Sequence, residues 1–235
     1  MPHRAVSIPM PHGASMGGYL TLPPAGAGKG SGVVVLQEIF GINRFVRDVC
    51  DDLAQMGYVA LAPDLFWRME AGVDLDYSEP ERAKAFAFWK KFDPVHGIAD
   101  TGAAMKYLAG LPECNGKVGL VGFCLGGKLV VKAGADFGAE AIVSIYGVGL
   151  DADVDIIRNL RCPTAFLIGS KDAHIPAETV AAVKQATSGK ANLSTHVYAG
   201  AQHGFYNHWR SEVHDPTAQR SAREQVAKTL SAGLN

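Results

Sequence analysis

The chain has 235 residues, with 22 Lys and Arg against 23 Asp and Glu, a formal net charge of −1 and a hydrophobic fraction of 48%. That ordinary globular composition excludes wholesale disorder, and the charge balance gives no electrostatic reason to expect a nucleic acid or an anionic membrane surface as partner. The four cysteines, Cys50, Cys114, Cys124 and Cys162, are scattered and form no C-x-x-C pair, which excludes a disulfide scaffold, a zinc ribbon and a thioredoxin-type motif.

Met1 to Gly13 carries prolines and histidines and no apolar run of signal-peptide length. No stretch approaches the roughly 18 uninterrupted apolar residues of a membrane span. A cytoplasmic protein with reduced thiols is expected. Val33 to Leu36, preceded by the Gly/Ala/Pro-rich stretch Pro23 to Gly32, reads as a strand buried on both faces, because it lacks in–out alternation. Phe45, Val46, Val49, Leu53 and Met56 recur at helical spacing. Gly57 ends that helix, and Tyr58 to Ala62 forms the next strand, closed by Pro63. Asp64 to Pro80 reads as a loop long enough to suspect a function, a lid over the site being left open. Helices follow over Glu81–Lys91 and Ile98–Leu111.

The second half repeats the alternation, with strands at Lys117–Val121, Ala141–Tyr146, Thr164–Ile168 and Leu193–Tyr198. Helices are expected over Leu125–Ala135, Ala177–Ala186 and Pro216–Leu230. No repeat, low-complexity tract or linker marks a boundary, so residues 1–235 read as a single doubly wound α/β domain. Its sheet should be mostly parallel, with helices on both faces.

Ligands of such sheets bind at the carboxyl ends of the strands. Those ends carry Gln37-Glu38-Ile39, Gly122-Phe123-Cys124-Leu125-Gly126, Ser170-Lys171-Asp172 and Gln202-His203-Gly204. A thiol, two carboxylates and an imidazole therefore converge on one rim. Gly122-x-Cys124-x-Gly126 between a strand and a helix fits a nucleophile elbow, whose small residues let the backbone pass closely. The helix N-terminus favours thiolate over thiol there. Cys124, Asp172 and His203 follow in the order nucleophile, acid, histidine, with His203 as base and Asp172 holding its tautomer. The other three cysteines read as packing or surface residues. His174, close to Asp172 in sequence, reads as a residue lining the site, and His203, His208 and His214 match no metal-ligand spacing. No metal and no cofactor is expected.

These residues resemble the dienelactone hydrolase family, an α/β-hydrolase branch with a cysteine nucleophile. The likeness is densest at Gln37 to Asn43, Ala62 to Leu65, Gly116 to Gly127 and Tyr146 to Leu150. The resemblance implies that Glu38 deprotonates Cys124 when substrate arrives, and that the N–H groups of Ile39 and Leu125 form the oxyanion hole. A carboxylate beside an apolar strand end should have a raised pKa suited to that task. The resemblance further implies that Arg82 meets a substrate carboxylate, and it places Phe40, Trp89, Tyr146 and Asn207 at the substrate. Asn207 is a departure, because it stands four residues after His203 where the family's dienelactone-active members carry a second arginine. Arg210 lies nearby, but a three-residue offset rarely brings a guanidinium to the same point.

The leading expectation is an enzyme, a carboxylic ester hydrolase that cleaves a small enol lactone or activated ester through a cysteinyl acyl intermediate. A general carboxylesterase without a carboxylate requirement is the alternative. A non-catalytic ligand-binding or thiol-redox sensor on the same fold is another. The expected partner is a small-molecule ester or lactone, not nucleic acid or membrane. A monomer is expected, with an oligomer left open.

Overall fold

Apolar runs that cannot alternate in and out need cover on both faces, and here they form the centre of one sheet. The computed structural model describes residues 1–26 and 28–235. An N-terminal pair, β1 (His3–Pro9) and β2 (Ser15–Thr21), leads into β3 (Gly30–Leu36), α1 (Arg44–Gln55) and β4 (Val59–Pro63). Two helices, α2 (Glu79–Lys91) and α3 (Pro94–Ala109), precede β5 (Cys114–Phe123), α4 (Leu125–Phe137) and β6 (Ile142–Ile145). The chain finishes with α5 (Val154–Asn159), β7 (Thr164–Gly169), α6 (Ala177–Thr187), β8 (Leu193–Tyr198) and α7 (Pro216–Leu234).

The strands form one eight-stranded sheet in the order β1-β2-β4-β3-β5-β6-β7-β8. β2 pairs antiparallel with β1 and β4, and every other pairing is parallel. This is the mostly parallel α/β sheet expected from the sequence. Every residue of β4, β6 and β7 is buried, which explains why those strands are apolar apart from Ser144 and Thr164. Helix α1 lays Phe45, Val46, Val49, Cys50 and Leu53 against the sheet, and the Asn43 side chain caps its N-terminus by accepting from Val46 N–H at 3.3 Å. Asp93 and Asp215 cap α3 and α7 in the same way, each followed by a proline in the first turn.

Two features lie outside the sequence reading. The β1–β2 hairpin is an edge ribbon in which only Ile8, Met16, Leu20 and Thr21 are buried, too few apolar positions to stand out as strands. The six-residue helix α5 is too short for a periodic signal. Strand β5 also runs from Cys114, three residues before the expected Lys117, and α2 starts at Glu79 rather than Glu81.

The segment between β4 and α2 is pinned rather than free. The Asp64 carboxylate accepts from Phe66 N–H at 3.1 Å and Gly72 N–H at 2.7 Å. Backbone bonds join Ile42 N–H to Val73 O at 3.0 Å and Leu75 N–H to Phe40 O at 2.9 Å. On α3 the fully buried Asp100 accepts from Trp67 Nε1 at 3.0 Å and pairs with Arg68. Removing that carboxylate strands an indole donor and a half-covered guanidinium. Asp100→Ala should therefore cost about 2 kcal/mol of stability in urea denaturation, whereas substitution of the exposed Asp155 should change it by less than about 0.5 kcal/mol.

Candidate active site

Strand β5 turns into α4 within a single residue. Cys124, at that turn, has φ 53° and ψ −110°, a left-handed backbone conformation that costs a side-chain-bearing residue about 1–3 kcal/mol. Its N–H donates to Ile145 O at 3.1 Å and its carbonyl accepts from Lys128 N–H at 3.2 Å, so both neighbouring elements hold the turn. The glycines make it sterically feasible. A Cβ on Gly122 would lie 2.2 Å from Gly126 O, and one on Gly126 would lie 2.5 Å from Leu36 O. Cys124 thereby sits at the N-terminus of the 13-residue α4 with its side chain part-exposed. Burial instead pushes the Cys50 and Cys162 thiols up, away from ionisation.

His203 follows β8 and Asp172 follows β7. The His203 Nδ1–H donates to Asp172 Oδ2 at 2.8 Å, which leaves Nε2 as the other ring position, and Asp172 Oδ1 also accepts from His174 N–H at 2.8 Å. Burial disfavours charge on His203, but the Asp172 hydrogen bond and the adjacent Cys124 sulfur outweigh it and lift the imidazole to about 10. His174 packs edge-on against His203 with ring centres 4.7 Å apart. Burial and the His203 charge push His174 down.

Glu38 follows β3 and is 3% exposed. Tyr146 O–H donates to its Oε1 at 3.1 Å and Asn207 Nδ2 donates to its Oε2 at 3.0 Å. Burial raises the Glu38 pKa, against the opposing influence of Arg210 first and His203 second. The Asn207 amide also donates to Tyr77 Oη at 2.7 Å, and Asn43 Nδ2 donates to that oxygen at 2.9 Å. A carboxylate, two phenols and two amides thus form one buried network behind the cavity wall.

The cavity itself has a volume of about 290 Å³. Cys124, His203, Glu38 and Ile39 line it together with the apolar Phe40, Phe86, Trp89 and Val148 and the polar Arg82, Arg210 and His174. Among the described residues, neither Ile39 N–H nor Leu125 N–H donates to a protein acceptor, whereas the next N–H, of Gly126, is taken by Gln37 O at 3.1 Å.

The structure thus brings Cys124, Asp172, His203, Glu38, Ile39, Leu125, Phe40, Arg82 and Trp89 to one place. Tyr146 and Asn207 require a correction. Both are fully buried, absent from the cavity wall and bonded to Glu38, so neither is placed to touch a substrate. Arg210 requires the opposite one, because the offset that argued against it is absorbed by the loop and it borders the cavity. Phe86 and Val148 were missed. Phe86 lies four residues after Arg82 and three before Trp89, on one helical face, a spacing that was open to notice. No residue of the 64–78 segment is among the lining residues, and α2 forms that wall instead. His208 and His214 pair with Asp48 and Gln219, away from His203.

A nucleophile elbow, a histidine after the last strand and an acid after the preceding one, on this sheet order, define an α/β-hydrolase. Comparison with known proteins narrows the class. The sequence profile of the dienelactone hydrolase family matches residues 16–234. A carboxymethylenebutenolidase of a Pseudomonas species is 34% identical over 226 residues, covering 96% of this chain and 93% of the relative. Another from Pseudomonas putida is 37% identical over 174 residues, 74% of each chain. A solved structure from Klebsiella pneumoniae, assigned as a candidate dienelactone hydrolase, superposes with a TM-score of 0.81 at 27% identity, covering 98% of this chain and 99% of its own. The chain belongs to the dienelactone hydrolase family and is a carboxylic ester hydrolase. Among the described residues, no helix is long and apolar enough to cross a membrane.

The Asp172 contact has a measurable consequence. In Asp172→Asn the carboxylate that favours imidazolium is gone while burial and the Cys124 sulfur still oppose one another, so the His203 midpoint should fall well below its wild-type value of about 10. Titration of the ring nitrogens by NMR checks this, and an unmoved midpoint contradicts it.

Proposed function

We propose that the chain hydrolyses a small enol lactone or activated ester through a thioester on Cys124, with residues 1–235 acting as one catalytic domain. The observation that carries the reading is the strained Cys124 backbone at the head of α4, sharing a cavity with His203 and Glu38. Glu38, a carboxylate whose pKa burial raises, accepts the thiol proton as substrate enters. The thiolate adds to the substrate carbonyl, and the N–H groups of Ile39 and Leu125 hold the oxygen that gains the negative charge. Collapse of this intermediate breaks the ring or ester C–O bond and expels an enolate, which takes the proton carried by the His203 imidazolium and leaves as the enol and its ketone tautomer. Water then adds to the thioester, giving its proton to His203, while Asp172 keeps the imidazole oriented. Expulsion of the thiolate, which takes its proton back from Glu38, returns the enzyme and releases a carboxylic acid, for a net uptake of one water.

An enolate is a far better leaving group than a simple alkoxide, which suits a thiolate that would itself be expelled in preference to an alkoxide. The relatives that the chain matches are named for action on carboxymethylenebutenolide, which is such a lactone. Breakdown of aromatic compounds is the setting in which this substrate class arises. One observation favours the wider reading of a general carboxylesterase. The arginine expected beside a substrate carboxylate is replaced by Asn207, and that amide is engaged inside the protein.

Hydrolysis of a carboxymethylene-butenolide, its methyl ester and p-nitrophenyl acetate tests both readings. Cys124→Ala should lose at least about a thousandfold in kcat on every substrate that wild type turns over. Full activity in Cys124→Ala contradicts the nucleophile assignment. Glu38→Gln keeps the shape and loses the base, so its kcat should fall by about a hundredfold or more, with KM changed little. An equal kcat in Glu38→Gln would remove Glu38 from the chemistry.

A further inference from the structure

The loop of residues 204–215 carries a charge arrangement that the hydrolytic steps leave unused. Gly204 has φ +87°, and a side chain on it would meet Arg210 Nη1 at 2.7 Å, so bare backbone beside His203 seats this guanidinium. The loop closes on itself through Arg210 N–H to Asn207 O at 3.0 Å, His214 N–H to Arg210 O at 2.8 Å and Asp215 N–H to Phe205 O at 3.1 Å. Arg210 is thereby held with its guanidinium carbon 5.8 Å from the Tyr77 ring centre, at the cavity edge that Arg82 also borders.

Glu212 stands between the two arginines. Its Oε1 accepts from Arg82 Nη2 at 2.5 Å and from Arg210 Nε at 3.3 Å. Arg82 is further committed through Nε, which donates to Tyr77 O at 2.8 Å. Partial burial works against charge on Glu212, but its own backbone N–H and the Arg82 hydrogen bond outweigh it and hold the carboxyl below the usual range. Both guanidinium groups at this edge therefore share one carboxylate oxygen supplied by the chain itself.

Recognition of a substrate carboxylate by arginine relies on parallel N–H donors and on uncompensated positive charge. A carboxylate arriving here must displace Glu212 or lie beside it against like-charge repulsion. An uncharged ester or lactone meets no such competitor, and Phe86 and Trp89 offer it apolar contact. We propose that Glu212 is a specificity-determining residue, an internal counter-ion that occupies Arg82 and Arg210 and turns the cavity toward uncharged esters and lactones over carboxylate-bearing ones. The proposal rests on the cavity being the substrate site, and it adds a charge preference set by a residue that does not itself line the cavity.

The test compares a carboxymethylene-butenolide acid with its methyl ester, the ester serving as internal reference. In Glu212→Gln the ratio of kcat/KM for acid over ester should rise about fivefold, through KM for the acid. Adding Arg210→Gln to that variant should abolish the rise. An unchanged ratio overturns the proposal, and a lower one makes Glu212 the residue that positions the arginines for a carboxylate. Equilibrium titration of both compounds onto Cys124→Ala, with and without Glu212→Gln, reads the same preference without turnover. Absence of hydrolysis by wild type would count against the proposed reaction alone. Acid binding that fails to strengthen in the Glu212→Gln background would count against the counter-ion.

Discussion

The site depends on one sterically demanding turn. Strand β5 lies at the centre of the sheet, and α4 must pack back on it immediately, so the joining residue is forced to positive φ. That conformation lifts the Cys124 side chain out of the sheet plane and leaves the Leu125 N–H at the head of α4 without a protein acceptor among the described residues. The strain of about 1–3 kcal/mol is tolerated because Gly122 and Gly126 let the backbones meet, and because Ile145 O holds the Cys124 N–H. Larger residues at either glycine would push α4 from β3 and β5 and move Cys124 away from His203. The fully buried parallel strands make the turn rigid enough to matter.

Around that turn, charge is handled by burial. Glu38 is taken out of water and given two neutral donors, Tyr146 and Asn207, rather than a direct guanidinium partner. Neutral donors stabilise an ionised carboxylate less than an arginine in contact would. The carboxyl is thus kept with a raised affinity for a proton, the property a thiol activator needs. His203 has the opposite arrangement, with Asp172 directly on Nδ1 and a raised tendency to hold its proton. Two titratable groups of opposite sign, pushed in the same direction beside one thiol, give the cavity both a proton acceptor and a charged imidazole.

Much of this was legible in the residues. Apolar runs located β3 to β7 and the strand-end positions of Glu38, Cys124 and Asp172, and the alternating Leu193–Tyr198 located that of His203. The β1–β2 hairpin escaped because an edge ribbon buries only a few side chains and so leaves little pattern. Asn207 and Arg210 depart from the sequence expectation for a different reason. Their offsets from His203 are visible, but the direction of each side chain is set by backbone hydrogen bonds within 204–215 that no spacing encodes. The amide turns inward to Glu38, and the guanidinium three residues later turns to the cavity. Phe86 was readable from its place on the Arg82–Trp89 face, once α2 is taken as a wall rather than a solvated helix.

The central claim is that the strained cysteine carries the acyl group. The most direct measurement is the intact mass of the protein quenched in acid during steady-state turnover of the carboxymethylene-butenolide methyl ester, followed by peptide mapping. The account predicts an adduct equal to the mass of the ring-opened acyl group, confined to the peptide bearing Cys124 and absent from Cys124→Ala. An adduct on another residue, or turnover that persists in Cys124→Ala, would contradict it.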